Sequence, residues 1–153
     1  MGTEIERKYL VRNDAYRALA TGVPCRQGYL CTVPGRVVRV RLMGERAFLT
    51  VKGPTMGATR AEFEYEIPPD DARQLLALCE PPLIEKTRYV VPHRGLVWEV
   101  DEFHGANQGL VVAECELRSG DQAVDKPDWV GEEVTGDVRY FNSSLVARPF
   151  TSW

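Results

Sequence analysis

The sequence predicts a mainly β, α+β fold: an eight-stranded antiparallel sheet closed into a barrel, with a charged lumen and helices packed on the outside. Three observations predict it. Turn signals divide the chain of 153 residues into segments of mostly seven to ten residues, which is strand spacing. Within those segments apolar and charged residues alternate with period 2, so each strand has one apolar and one charged face. The charged faces hold almost only Glu, Asp, Arg and Lys, sorted by sign from strand to strand. An open sheet with its charged face in water explains the alternation. A solvated face would also mix in Thr, Ser and Gln, however, and the sorting favours closure, which removes the sheet edges and turns the charges inward.

The elements follow in order. The first strand puts Glu4, Glu6 and Lys8 on one face and Ile5, Arg7, Tyr9 and Val11 on the other. A short helix is expected at 14–20, capped by Asn13 or Asp14. Segment 25–31 is the weakest strand, with Gln27 and Tyr29 on its polar face. In 36–43, Arg39 and Arg41 oppose Val38, Val40 and Leu42; in 46–52, Thr50 and Lys52 oppose Ala47, Leu49 and Val51. In 60–67, Arg60, Glu62, Glu64 and Glu66 oppose Ala61, Phe63, Tyr65 and Ile67. Pro69, Asp70 and Asp71 suit the first turn of a helix over 69–79, with Leu75, Leu76 and Leu78 as its apolar face. In 84–91, Lys86 and Arg88 oppose Thr87, Tyr89 and Val91; in 96–103, Asp101 with Glu99 opposes Trp98 and Val100. In 111–118, Glu114, Glu116 and Arg118 oppose Val111, Ala113, Cys115 and Leu117, and a third helix is expected at 138–147.

Composition narrows the classes of function. Hydrophobic residues make up 44% and charged residues 27%, which excludes a disordered chain. No apolar run approaches the roughly 20 residues that span a bilayer. A net charge of −3 argues against a nucleic-acid or anionic-membrane binder. The segment MGTEIERKYLV does not read as a signal peptide. Cys25, Cys31, Cys79 and Cys115 form no CxxC pair and no zinc-ligand spacing with His93 or His104. They read as thiols of a cytoplasmic protein, with two bridges arithmetically open. The whole of 1–153 is expected to form one domain, and the pattern carries no reading of oligomeric state.

A lumen this charged makes physical sense when a ligand completes it, because burying ion pairs for their own sake contributes little to stability. Arg forks suit phosphate oxygens, and carboxylate clusters suit a hard divalent cation. A ligand wanting both is a polyphosphate with Mg²⁺ or Mn²⁺. No Gly-rich phosphate loop is present, so side chains rather than backbone amides would hold the phosphates. Residues two apart on a strand stand roughly 6.5–7 Å apart, so Glu4 and Glu6 can reach toward shared metals while Lys8 reaches a phosphate. Only four of the 19 basic residues are Lys, and Lys8, Lys52 and Lys86 all fall on the predicted lumen face.

Glu4-Ile5-Glu6-Arg7-Lys8 resembles the ExExK signature of the CYTH, or triphosphate tunnel metalloenzyme, superfamily. Arg39-Val40-Arg41, Thr50-Val51-Lys52, Arg60 to Glu66, Lys86-Thr87-Arg88, Trp98 to Asp101 and Glu114-Cys115-Glu116 follow in the family's order. The tail from Glu133 through Asp137 and from Arg139 to Ser143 is similar to short bacterial members. The resemblance covers essentially the whole chain. It implies a tunnel that hydrolyses or cyclises triphosphates with a divalent metal. It further implies Glu4, Glu6, Glu114 and Glu116 as metal ligands. Arg39, Arg41, Lys52, Arg60, Lys86, Arg88 and Lys8 would bind phosphate. Lys8 and Lys86 would handle the attacking water or its proton, with Glu62, Glu64, Asp101 and Tyr29 as further candidates.

The expected activity is hydrolysis of a small-molecule triphosphate, inorganic tripolyphosphate first. The alternatives are an adenylate cyclase, a thiamine or nucleoside triphosphatase, and a non-catalytic polyphosphate-binding module.

Overall fold

The computed structural model describes residues 2–153. Strand β1 (Gly2–Val11) opens the chain, followed by a short 3₁₀ turn at Ala15–Ala18. Then come β2 (Val23–Cys31), β3 (Val37–Met43), β4 (Arg46–Met56), β5 (Thr59–Ile67) and helix α1 (Pro69–Leu76). β6 (Ile84–His93), β7 (Leu96–Phe103), β8 (Val111–Glu116), β9 (Val130–Glu133) and helix α2 (Asn142–Ala147) complete the order. The strand order is β5-β4-β3-β2-β6-β7-β8-β1, and β1 pairs back onto β5. Eight antiparallel strands therefore form a closed barrel, with β9 branching from β1 outside the ring.

Tight hairpins fix the registers. At the β6–β7 turn Arg94 and Gly95 both have positive φ, 47° and 81°, the pair of values a type I′ turn requires. The closing seam is short: β1 meets β5 only from Gly2 to Ile5. Beyond it the 134–140 segment takes over, with Thr135 Oγ1 accepting from the Lys8 N–H at 3.0 Å.

Apolar packing forms three clusters. Outside β1, β7 and β8, Trp98, Tyr9 and Cys115 pack with Trp129 and with Tyr16 of the first turn. Outside β3 and β4, Val40 and Ala47 pack under Ala72 and Leu76 of α1. Gly28 of β2 lies in the same layer; a Cβ there would stand 2.7 Å from Cys79 Cβ, so the close approach requires glycine. The third cluster is inside. At one end of the lumen Tyr29, Val37, Ile84, Phe103 and Val112 are buried against Leu145 and Val146 of α2.

Three sequence expectations are corrected. The helix expected at 14–20 is a single 3₁₀ turn, with Asn13 rather than Asp14 accepting from the Ala15 N–H. The helix expected at 138–147 divides at Phe141, whose extended backbone separates a 3₁₀ turn at Val138–Tyr140 from α2. Strand β9 was not expected: its four residues are too few to display alternation. No helix among the described residues is long and apolar enough to cross a membrane.

Candidate active site

One cavity of about 220 Å³ occupies the charged part of the lumen. Its lining includes every candidate residue named above except Asp101. The strand register explains the gathering. Across β1 and β8, Glu6 faces Glu116 and Lys8 faces Glu114; across β1 and β5, Glu4 faces Arg60; across β4 and β5, Thr50 faces Glu64 and Lys52 faces Glu62.

The carboxylates fall into two pairs, Glu4 with Glu62 and Glu6 with Glu114, in each of which one member is raised and the other lowered. Burial raises Glu4 to about 7, and its partner Glu62 is held below the usual range by the Glu4 hydrogen bond and by Lys52, against its own burial. Burial and the neighbouring Glu114 raise Glu6 well above the usual range. Glu114, although buried, is drawn down to about 2 by Lys8 and the Glu6 hydrogen bond. Burial also raises Glu116. Lys52 Nζ bridges Glu4 and Glu62 at 3.3 and 3.2 Å, and Lys8 Nζ stands 3.9 Å from Glu114 while donating to the Tyr140 carbonyl at 2.9 Å.

The cations are held by their own partners. Arg39 Nη2 donates to Thr50 Oγ1 and Glu64, both at 3.3 Å, and its buried Nε has no partner among the described residues. Arg41 Nε donates to Gln27 Oε1 at 3.0 Å. Arg60 donates twice to the Gly53 carbonyl, at 3.2 and 3.0 Å. Asp101 lies beneath the cavity wall. Its Oδ1 accepts from Arg88 Nε at 2.8 Å, and its Oδ2 accepts from Arg88 Nη2 at 2.9 Å and from Lys86 Nζ at 2.8 Å. Those bonds hold its carboxyl far below the usual range despite full burial. Burial lowers Lys86 to about 8 even with Asp101 beside it.

Two charged residues expected inside are not there. Glu66 sits exposed at the end of β5, accepting from Arg46 at 3.1 and 2.8 Å. Arg118 lies past the end of β8, exposed. Sequence reasoning also passed over Asn142, which accepts from Lys86 Nζ at 3.0 Å, and gave Gln27 no role. The only signal for Asn142 was its place in the tail motif.

Hard oxygen donors line one wall, and burial raises two of them, Glu4 and Glu6, so that a divalent cation would compete with protons there. Among the described residues no three Asp, Glu, His or Cys side chains are already drawn together at ligating distance. Glu4, Glu6, Glu114 and Glu116 thus fit such a cation in type and number, with Glu6 and Glu114 already paired but no finished cage.

A closed antiparallel barrel whose lumen sets acid pairs against a ring of guanidinium and ammonium groups defines a class of polyanion-accommodating tunnel. The family model described as CYTH domain matches residues 2–150, and the chain belongs to that family. It is 51% identical over 154 residues to an inorganic triphosphatase of Acetivibrio thermocellus, covering 100% of this chain and 99% of that protein. It is 40% identical over 148 residues to an inorganic triphosphatase of Nitrosomonas europaea, covering 94% and 96%. The crystal structure of the inorganic triphosphatase NE1496 superposes with a TM-score of 0.66 at 38% identity, covering 95% of each chain. A conserved protein of Pyrococcus furiosus superposes with a TM-score of 0.60 at 18% identity over 77% of this chain and 80% of that one, a likeness of fold alone.

Proposed function

We propose that this chain hydrolyses a linear triphosphate, inorganic tripolyphosphate first, to pyrophosphate and orthophosphate with Mg²⁺ or Mn²⁺. The observation that carries the reading is the cavity itself. It offers acid pairs and converging cations, and Tyr29 and Phe141 are its only aromatic walls among the described residues. A nucleotide cyclase would need a slot for base and ribose that aligns the 3′-hydroxyl with the α-phosphorus. The names of the two relatives above support the same reading.

In this mechanism Arg39, Arg41, Lys52, Arg60 and Arg88 take phosphoryl oxygens. Glu4, Glu6, Glu114 and Glu116 would hold the cation, which when bound supplies charge neutralisation at the transferring phosphoryl group. Water attacks the terminal phosphorus in line. Its oxygen forms the new P–O bond as the anhydride bond breaks, and pyrophosphate leaves. Lys86, with its ammonium brought to about 8, is suited to pass a proton near neutrality. Lys8 and Tyr29 face the same space, Glu62 and Glu64 orient water, and Asp101 acts through Lys86 and Arg88. The four cysteines are free, which supports a reducing compartment, the cytoplasm.

The test is kcat/KM for tripolyphosphate, pyrophosphate, thiamine triphosphate and ATP in one buffer with Mg²⁺ and then Mn²⁺, with cyclic AMP assayed in parallel and EDTA as control. Preference for tripolyphosphate and silence in EDTA are expected. Cyclic AMP as the main ATP product, or a clear preference for ATP, overturns the assignment.

A further inference from the structure

The roles above leave Gln27 and Asn142 unused, although Asn142 lines the cavity and Gln27 is buried directly behind it. We infer that their side-chain amides form a positioning pair that holds Lys86 and Tyr29 in one working arrangement, with Asn142 of α2 aiming the Lys86 ammonium. The inference rests on the proposed part of Lys86 and Tyr29 in the reaction.

Asn142 Oδ1 accepts from Lys86 Nζ at 3.0 Å and from Gln27 Nε2 at 3.2 Å. Gln27 Nε2 also donates to Tyr29 Oη at 3.0 Å, and Gln27 Oε1 accepts from Arg41 Nε at 3.0 Å. These bonds fix both amide orientations. Flipping Gln27 would set its NH₂ against the Arg41 guanidinium, and flipping Asn142 would set its NH₂ against the Lys86 ammonium, donor against donor in each case. Gln27 is fully buried, so a wrong orientation could not be relieved by water.

The arrangement has chemical content. Asp101 and Asn142 take two of the three Lys86 ammonium protons, and the third has no hydrogen-bond acceptor among the described residues, with Nζ 5.5 Å from the Phe103 ring at the edge of the cavity that Lys86 lines. Tyr29 Oη accepts from Gln27 and donates to no group among the described residues, so its own proton is also left for the cavity. The neutrality of Asn142 matters. Lys86 already faces Asp101 of β7, Arg88 of its own strand, Arg41 of β3 and Cys25 of β2. A carboxylate at 142 would tighten its hold on the proton, whereas an amide oxygen aims the ammonium with far less effect on that hold.

The test is the pH dependence of kcat on tripolyphosphate for Asn142→Ala, Asn142→Asp and Gln27→Glu, with Lys86→Ala alongside. Whether Lys86 acts as base or as ammonium, the limb it governs should move the same way. It should fall in pH for Asn142→Ala, which removes an acceptor, and rise for Asn142→Asp, which adds a negative charge, each by about half a unit or more. At the wild-type optimum kcat should fall about tenfold to a hundredfold in Asn142→Ala, with KM changed less than about threefold. Asn142→Asp should regain most of that rate at its own optimum. Gln27→Glu retains a partner for Arg41 but cannot donate to Tyr29 and Asn142 together; it should also lower kcat, and it carries the test if Asn142→Ala loosens α2. An unshifted limb in both Asn142 variants, or wild-type kcat in Asn142→Ala and Gln27→Glu while Lys86→Ala is inactive, overturns the positioning role and leaves Lys86 in place. Full activity in Lys86→Ala removes the reading beneath it.

Discussion

Glu4 and Asp101 are both buried carboxyls, and their surroundings push them in opposite directions. Glu4 rises from 4.5 to about 7 because burial outweighs Lys52, so the native chain holds its proton more tightly than the unfolded chain does. That preference stabilises the native state fully below pH about 4.5 and is lost as pH rises through about 7. Glu62 is shifted downward in the same pair and offsets part of the effect. We predict that Glu4→Gln lowers activity at least about a hundredfold yet stabilises the metal-free protein at pH 8 by about 1 kcal/mol, roughly 2–4 °C in Tm. A melting curve and CD spectrum check it, and loss of the fold would assign Glu4 a structural part instead. Asp101 is depressed, with Arg88 and Lys86 overcoming full burial, so its stabilisation is present above about 3.8 and drains away as pH falls below that. Asp101→Asn should cost about 3–5 kcal/mol at pH 7, because it strands two buried cations, and the deficit relative to wild type should shrink in acid. Urea unfolding at pH 7 and pH 3 measures both; an equal deficit at the two pH values contradicts the ion-pair account.

At the scale of elements, α2 joins stability to the site. Leu145 is fully buried against the apolar end of the lumen, three residues after Asn142. Leu145→Ala should cost about 2–5 kcal/mol by leaving a cavity, and kcat should fall as the helix carrying Asn142 loosens. A thermal melt with steady-state kinetics tests this, and an unchanged Tm would show that α2 packs independently of the barrel. The elements also show what the sequence made legible. Glu4, Glu6 and Lys8, and Arg39 and Arg41, announce themselves because a strand repeats every two residues and charge stands out against Val, Ile and Leu. Gln27 and Asn142 do not. They are neutral, and Asn142 reaches the lumen from a helix whose short turns impose no strand period. Glu66 and Arg118 had the right parity but sit beyond the reach of the cavity, since period 2 reports which face a residue takes and not how far along the barrel it stands.

The whole molecule carries net charge −3 and yet sets seven of its 19 basic residues, Lys8, Arg39, Arg41, Lys52, Arg60, Lys86 and Arg88, around the cavity. A polyanion and a divalent cation should therefore bind interdependently, each screening the charge that repels the other. With tripolyphosphate and Ca²⁺ or Mg²⁺ each at about a hundred times its Kd, Tm should rise by more than the sum of the separate shifts. The gain expected from one ligand at that excess is about 2.7 kcal/mol. Differential scanning fluorimetry at pH 8 would show it, and strictly additive shifts would mean separate sites.

The register that pairs Lys8 with Glu114 and Glu6 with Glu116 also sets a schedule for synthesis. The first strand made must wait for the last strand of the ring, and the Lys8 ammonium waits longer still, for the carbonyl of Tyr140. Until then a nascent chain carries the Glu4, Glu6 and Lys8 row with half of its neighbours untranslated, and no fragment stopping short of residue 114 can set Glu114 beside Glu6. Such long-range closure is slow to form. Completion of this lumen is thus tied to the C-terminal part of the chain: its first strand finds its last partners only when β8 and Tyr140 have been made.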